Sequence, residues 1–144
     1  MVSYDSANIF AKIIRGEIPA VKVYEDDDIL AFMDVMPQSD GHTLVVPKAP
    51  SRNLLDADPE TVTTLFAAVQ RIASAVKNAF NADGLMIVQY NEAPAGQTVF
   101  HLHVHIVPCF EGIELRGHAT GGFADPDILA KHAARIRAAL QKDS

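Results

Sequence analysis

The sequence predicts an α+β domain built on an antiparallel sheet with helices. Short runs rich in β-branched and aromatic residues cluster between positions 21 and 46, with turn residues between them. A long apolar stripe at helical spacing follows from Pro59. Two more strand-like runs and a second helix start then close the chain. At 144 residues, 49% hydrophobic and 21% charged, the chain has the size and composition of one globular domain.

The elements follow in order. Ser6 stands where a cap belongs for a helix over about residues 7–15, with Ile9, Phe10, Ile13 and Ile14 as its apolar positions. Gly16 occupies the place of a C-terminal glycine, and Pro19 forbids continuation. Val21, Val23 and Tyr24 read as a first strand, Ile29 to Val35 as a second and His42 to Val46 as a third. Asp26-Asp27-Asp28 and Pro37-Gln38-Ser39-Asp40-Gly41 supply turn chemistry between them, so an antiparallel meander is expected. Asp58-Pro59-Glu60 gives a cap, a proline at the first helical position and an acid in the first turn. The helix runs through Leu65, Val69, Ile72, Val76 and Phe80, and Asp83-Gly84 is expected to end it. Leu85 to Tyr90 and His101 to Val107 read as two more strands. Asp125-Pro126-Asp127 starts a last helix that ends near Gln141.

Twelve Lys and Arg against 18 Asp and Glu leave a net charge of -6. That argues against a binder of duplex nucleic acid, which needs a basic face. It leaves room for a nucleotide in a small pocket. A single cysteine, Cys109, excludes an internal disulfide framework. The N-terminus shows no basic and apolar signal segment, and no stretch approaches membrane-spanning length, so a soluble cytoplasmic protein is expected.

Three of the six histidines fall in His101-Leu102-His103-Val104-His105. On a strand this alternation puts all three imidazoles on one face and Leu102, Val104 and Ile106 on the other, toward the core. A lone histidine is usually structural; three in strict alternation exceed what packing asks for. One chemical reading is a transition-metal site, since neutral imidazole ligates zinc. No carboxylate flanks the run until Glu111, although distant ligands such as His42 or Asp34 stay open. The other reading is a nucleophilic imidazole attacking phosphorus, with phosphate donors from Gln97, Thr98 and His105 and close backbone approach at Gly96. No Walker-type glycine-rich loop is present, which argues against ATP-driven work.

The run His101-Leu102-His103-Val104-His105-Ile106-Val107 resembles the signature of the histidine-triad (HIT) family. Ile9 to Pro19, Tyr24 to Asp34 and Gly41 to Lys48 resemble further blocks of its Hint branch, in the same order. The resemblance implies one domain over residues 1–144, with the motif-bearing core at about 8–110 and a C-terminal loop and helix at 111–144. It implies a five-stranded antiparallel sheet that continues across a homodimer. It also implies a nucleotidyl hydrolase or transferase acting at the α-phosphate of nucleoside monophosphate derivatives. In that frame His103 is the nucleophile, His101 orients it, His105 donates to phosphate and leaving group, and His42 extends the network. Asp34 meets the ribose hydroxyls; Phe10, Ile13, Phe32 and Leu44 sandwich the base; Asn91, Gln97 and Thr98 lie near the phosphate.

Two departures matter. Many bacterial relatives begin with Cys-Ile-Phe-Cys, carry a further His after the Pro-Lys, and bind structural zinc. Here those positions read Asn8, Ala11 and Pro50, so no metal and no cofactor is expected. Thr98 stands where phosphoramidate hydrolases of the branch often have Ser, and Gly96 to Val99 also resembles the fragile-histidine-triad branch, which splits dinucleoside polyphosphates. The N-terminal blocks rank phosphoramidate hydrolysis first, ahead of that activity and of a binding protein with vestigial chemistry.

Overall fold

The structure, a computed structural model, describes residues 2–117 and 122–142. The C-terminal loop's His118 lies outside the described residues. Five strands form one antiparallel sheet: β1 (Lys22–Glu25), β2 (Ile29–Met33), β3 (Thr43–Pro47), β4 (Gly84–Val88) and β5 (Val104–Cys109). Their spatial order is β1-β2-β3-β5-β4, so the meander of the first three strands is extended by the last two, with β4 at the edge. Helices α1 (Ile9–Ile14), α2 (Pro59–Phe80) and α3 (Pro126–Lys142) complete the α+β fold. None of the described helices is long and apolar enough to cross a membrane.

Strand alternation sorts the core into two clusters. Ile29, Ala31, Met33, Val45, Val104 and Ile106 face α2 and α3 and join Leu65, Ile72, Val76 and Ile136 in the larger one. Leu30, Phe32, Leu44 and Val46 face the other way and meet Phe10 and Ile13 of α1, with Ile14, Ile18, Ala20 and Val99 packed around them. Each fully buried Ile or Leu contributes roughly 1.5–3 kcal/mol of transfer free energy, so most of the stability resides on the α2–α3 side.

Local chemistry moves several boundaries from those expected. The cap of α1 is Asn8, not Ser6: its Oδ1 accepts from the Ala11 N–H at 2.9 Å, while Asp5 turns the preceding residues through the Ala7 N–H. Gly16 does take the left-handed conformation, φ +80°. Helix α2 stops before Asp83-Gly84, because Asn81 itself adopts φ 49°. Strand β5 begins at Val104 rather than His101. The preceding residues leave the ladder: the Leu102 N–H donates to the Ser51 carbonyl at 2.8 Å instead of to β3.

Arg116 and Ala124, described residues of the C-terminal loop, meet the segment between β2 and β3. The Arg116 N–H donates to the Gln38 carbonyl, its Nε to the Pro37 carbonyl, and the Ala124 N–H to the Val35 carbonyl, at 2.8–2.9 Å.

Candidate active site

The three triad histidines share one side of the sheet, as alternation predicts. That side is covered: His101, His103 and His105 are only 0, 6 and 3% exposed. The N-terminal segment and α1 lie over them, with the Phe10 ring edge-on to His103 at 4.9 Å between centroids.

The partners of each imidazole fix its proton. Nε2 of His101 faces the Pro47 carbonyl at 2.7 Å; a carbonyl only accepts, so Nε2 carries the hydrogen and Nδ1 accepts from the Tyr4 hydroxyl at 2.6 Å. Burial pushes the His101 pKa down, which keeps the ring neutral. Nδ1 of His103 faces the His101 carbonyl at 2.6 Å and carries its hydrogen, leaving Nε2 as the lone-pair nitrogen. His42 accepts the Gln38 N–H at Nδ1, 3.0 Å, so its Nε2 is the protonated nitrogen. That Nε2–H meets Nδ1 of His105 at 3.0 Å, with Oδ2 of Asp34 at 3.4 Å. His105 then carries its own hydrogen on Nε2. Adjacent rings, 5.0 Å apart, thus differ at Nε2: His103 has a lone pair there and His105 an N–H.

Both rings line a cavity of about 440 Å³. Of the residues expected to hold a nucleotide, Phe10, Ile13, Phe32, Asp34, Leu44 and Thr98 line it. His101 and His42 stand behind it as partners of the lining imidazoles. Asp34 also serves its turn, accepting the Met36 N–H at 2.8 Å through Oδ1.

Asn91 and Gln97 are not brought to the cavity. Asn91 accepts from the Leu54 N–H and pairs with the Gln89 amide. Gln97 is 3% exposed; its Nε2 donates to the carbonyls of Arg52 and Val99, and its Oε1 accepts from the Glu92 N–H. With the Arg52–Glu92 ion pair, 2.9 Å at both contacts, they strap the loop before the triad to residues 52–54. Gly96, φ +112°, is required there for another reason than phosphate approach: a Cβ would lie 3.0 Å from the Tyr90 ring. Sequence reasoning missed Arg52, whose role shows only once the two loops meet, and also Tyr4, Val99 and Phe123. Of these, Val99 and Phe123 line the cavity.

The positions that hold zinc in Cys-Ile-Phe-Cys relatives do not fit a metal here. Asn8, Ala11 and Pro50 offer neither thiolate nor imidazole, and both nitrogens of His101 are engaged. Among the described residues, the group close enough to share an ion is Asp34, His42 and His105.

Residues 15–112 match the family model described as the HIT domain. The chain belongs to the HIT family. Protein hit of Bacillus subtilis is 46% identical over 100 residues, 69% of each chain. Adenylylsulfatase HINT3 of Arabidopsis thaliana is 41% identical over 100 residues, covering 69% of this chain and 51% of that protein. The crystal structure of a Hit-like protein from Bartonella henselae superposes on this HIT protein with a TM-score of 0.89 at 59% identity, covering 95% of this chain and 99% of the other.

Proposed function

We propose that the protein is a nucleotidyl hydrolase or transferase acting on nucleoside 5′-phosphoramidates or related nucleoside monophosphate derivatives, through a covalent nucleotide on His103. The observation that carries this reading is the hydrogen bonding of two neighbouring imidazoles that line one cavity, which leaves a lone pair on Nε2 of His103 and an N–H on Nε2 of His105. The first can attack phosphorus, and the second can protonate the leaving amine.

The step balances as follows. Nε2 of His103 forms a bond to the α-phosphorus as the P–N bond of the substrate breaks. The leaving nitrogen takes the Nε2 proton of His105, and the Nε2–H of His42, donating to Nδ1, steadies the charge left on that ring. The phosphorylated ring of His103 gains positive charge, and its Nδ1–H already points at the His101 carbonyl. Water then attacks phosphorus, the His103–P bond breaks, and the released proton restores His105. Phe10, Ile13, Phe32 and Leu44 provide an apolar slot for a base and Asp34 an acceptor for ribose hydroxyls. A relative named an adenylylsulfatase supports chemistry at an adenylyl group.

A homodimer through the edge strand β4 and helix α2 belongs to the same reading. Ile87 of β4 and Phe66 of α2 are exposed apolar side chains, 45% and 38% accessible. Light scattering at micromolar concentration is expected to give the mass of a dimer.

The deciding experiment offers labelled nucleoside phosphoramidates and dinucleoside polyphosphates to pure protein, followed by a neutral denaturing quench. Protein-bound label is expected in the wild type and none in His103→Ala. Faster turnover of the dinucleoside compounds would move the protein to the polyphosphate hydrolases, which the presence of Thr98 favours. Nucleotide binding without turnover of either would leave a binding protein.

A further inference from the structure

The N-terminal segment touches the triad at a point the proposed chemistry does not use. Tyr4 lies 97 residues before His101, yet its hydroxyl meets Nδ1 of that ring at 2.6 Å. The direction of this bond is set from both ends. His101 has its hydrogen on Nε2, toward Pro47, so Tyr4 is the donor. The Tyr4 oxygen in turn accepts from Nδ2 of Asn8 at 2.9 Å. Burial raises the Tyr4 pKa as it lowers that of His101, so the phenol and the imidazole both stay neutral and the chain Asn8–Tyr4–His101–Pro47 keeps one polarity.

Asn8 belongs to two structures at once. Its Nδ2 serves Tyr4, and its Oδ1 caps α1, which carries Phe10 against His103. On the other side, the main-chain carbonyl of His101 holds Nδ1 of His103 at 2.6 Å. Whatever fixes residue 101 therefore fixes the acceptor that sets the tautomer of His103.

We propose that Tyr4 is a positioning residue: its hydroxyl locks His101 in the Nε2–H form and so holds the carbonyl that aims Nε2 of His103 into the cavity. This rests on the hydrolase reading for its effect on rate, but not for its effect on the imidazoles. Tyr4→Phe keeps the ring edge that packs on His101 at 5.7 Å and removes only the donor. Asn8→Asp keeps the helix cap and replaces the amide donor with a second acceptor, which competes with His101 for the Tyr4 proton.

The test reads the imidazole nitrogens by proton–nitrogen spectroscopy, together with the rate of His103 labelling and the affinity for nucleoside monophosphate. In both variants the Nδ1 signal of His101 is expected to leave its hydrogen-bonded position, and the His103 signals to shift with it. Labelling should slow about tenfold, the scale of one lost hydrogen bond to a buried ring, with nucleotide affinity unchanged. Tyr24→Phe, which loses a hydroxyl bonded to Asp26 far from the triad, should alter neither. Unchanged His101 and His103 spectra in folded Tyr4→Phe and Asn8→Asp would overturn the proposal, and so would shifted His101 spectra with unshifted His103. Absence of label in the wild type would instead overturn the hydrolase reading; the spectra would then still decide the role of Tyr4.

Discussion

The two faces of the sheet are built from alternate residues of the same strands, and they are finished differently. One face is closed by helices of 22 and 17 residues, and Leu65, Ile72, Val76 and Ile136 there are wholly buried. The other is closed by the six residues of α1 and the segments flanking it, which leave a cavity of about 440 Å³ between Phe10, Phe32, Leu44, His103 and His105. Polar groups divide the same way. His101, His103, His105 and His42 all lie on the second face, held by hydrogen bonds rather than by a thick apolar layer. The contrast teaches where a small domain can place chemistry: the thick side supplies stability, and the thin side can leave room for a ligand.

If the division holds, single substitutions should separate rate from stability. The largest expected effect is on the thin face. His103→Ala should abolish the covalent route, costing several powers of ten in turnover, with nucleoside monophosphate binding retained. Next comes the thick face: Ile72→Ala should lower unfolding free energy by about 2–5 kcal/mol, because the buried site cannot fully collapse around the lost atoms. Its turnover per folded molecule should match the wild type. Chemical denaturation of the two variants beside their kinetics checks both. A strongly destabilised His103→Ala, or an Ile72→Ala that folds yet is slow, would break the comparison.

A smaller effect sharpens it within the thin face. His42 stands behind the cavity lining and donates to His105, so its contribution should depend on whether the leaving group needs a proton. His42→Ala is expected to slow an amine leaving group by about 10²-fold, and a nitrophenolate ester of the same nucleotide far less. Equal losses on both substrates would show that His42 supports structure instead of the proton transfer made by His105.

The thick face was the more legible in the sequence. Its helices announce themselves by period and by the Asp-Pro starts at 58 and 125, and local rules suffice. The alternation of His101, His103 and His105 is equally plain, and six of the residues that the family resemblance names for a nucleotide, Phe10, Ile13, Phe32, Asp34, Leu44 and Thr98, line the cavity. What stayed hidden depends on contacts distant along the chain. Tyr4 meets a ring 97 residues away, and Arg52 pairs with Glu92 across 40. Asn91 and Gln97 stand outside the cavity lining because an amide serves a backbone as readily as a phosphate, and their neighbours in space, Leu54, Arg52 and Val99, hold them. The start of β5 shifted for a similar reason: Ser51, not β3, took the Leu102 N–H.

The smallest expected effect is none at all, and it concerns metal. Asp34, His42 and His105 stand close enough to share an ion, with one ligand atom from each within 4.8 Å of the others. Their protons argue against it. Nδ1 of His42 accepts the Gln38 N–H, so the nitrogen facing His105 carries the hydrogen. To ligate a cation there, His42 must become an imidazolate or move its proton to Nδ1, where it would point at another N–H. Either costs a buried hydrogen bond that the network already satisfies. One carboxylate oxygen of Asp34 is likewise held by the Met36 N–H. Turnover by pure protein should therefore be unchanged after EDTA treatment and gel filtration, and added zinc or magnesium should not raise it. Activity lost to the chelator and restored by either ion would show that the thin face needs more than its own imidazoles, and would replace the Asp34–His42–His105 network with a metal centre.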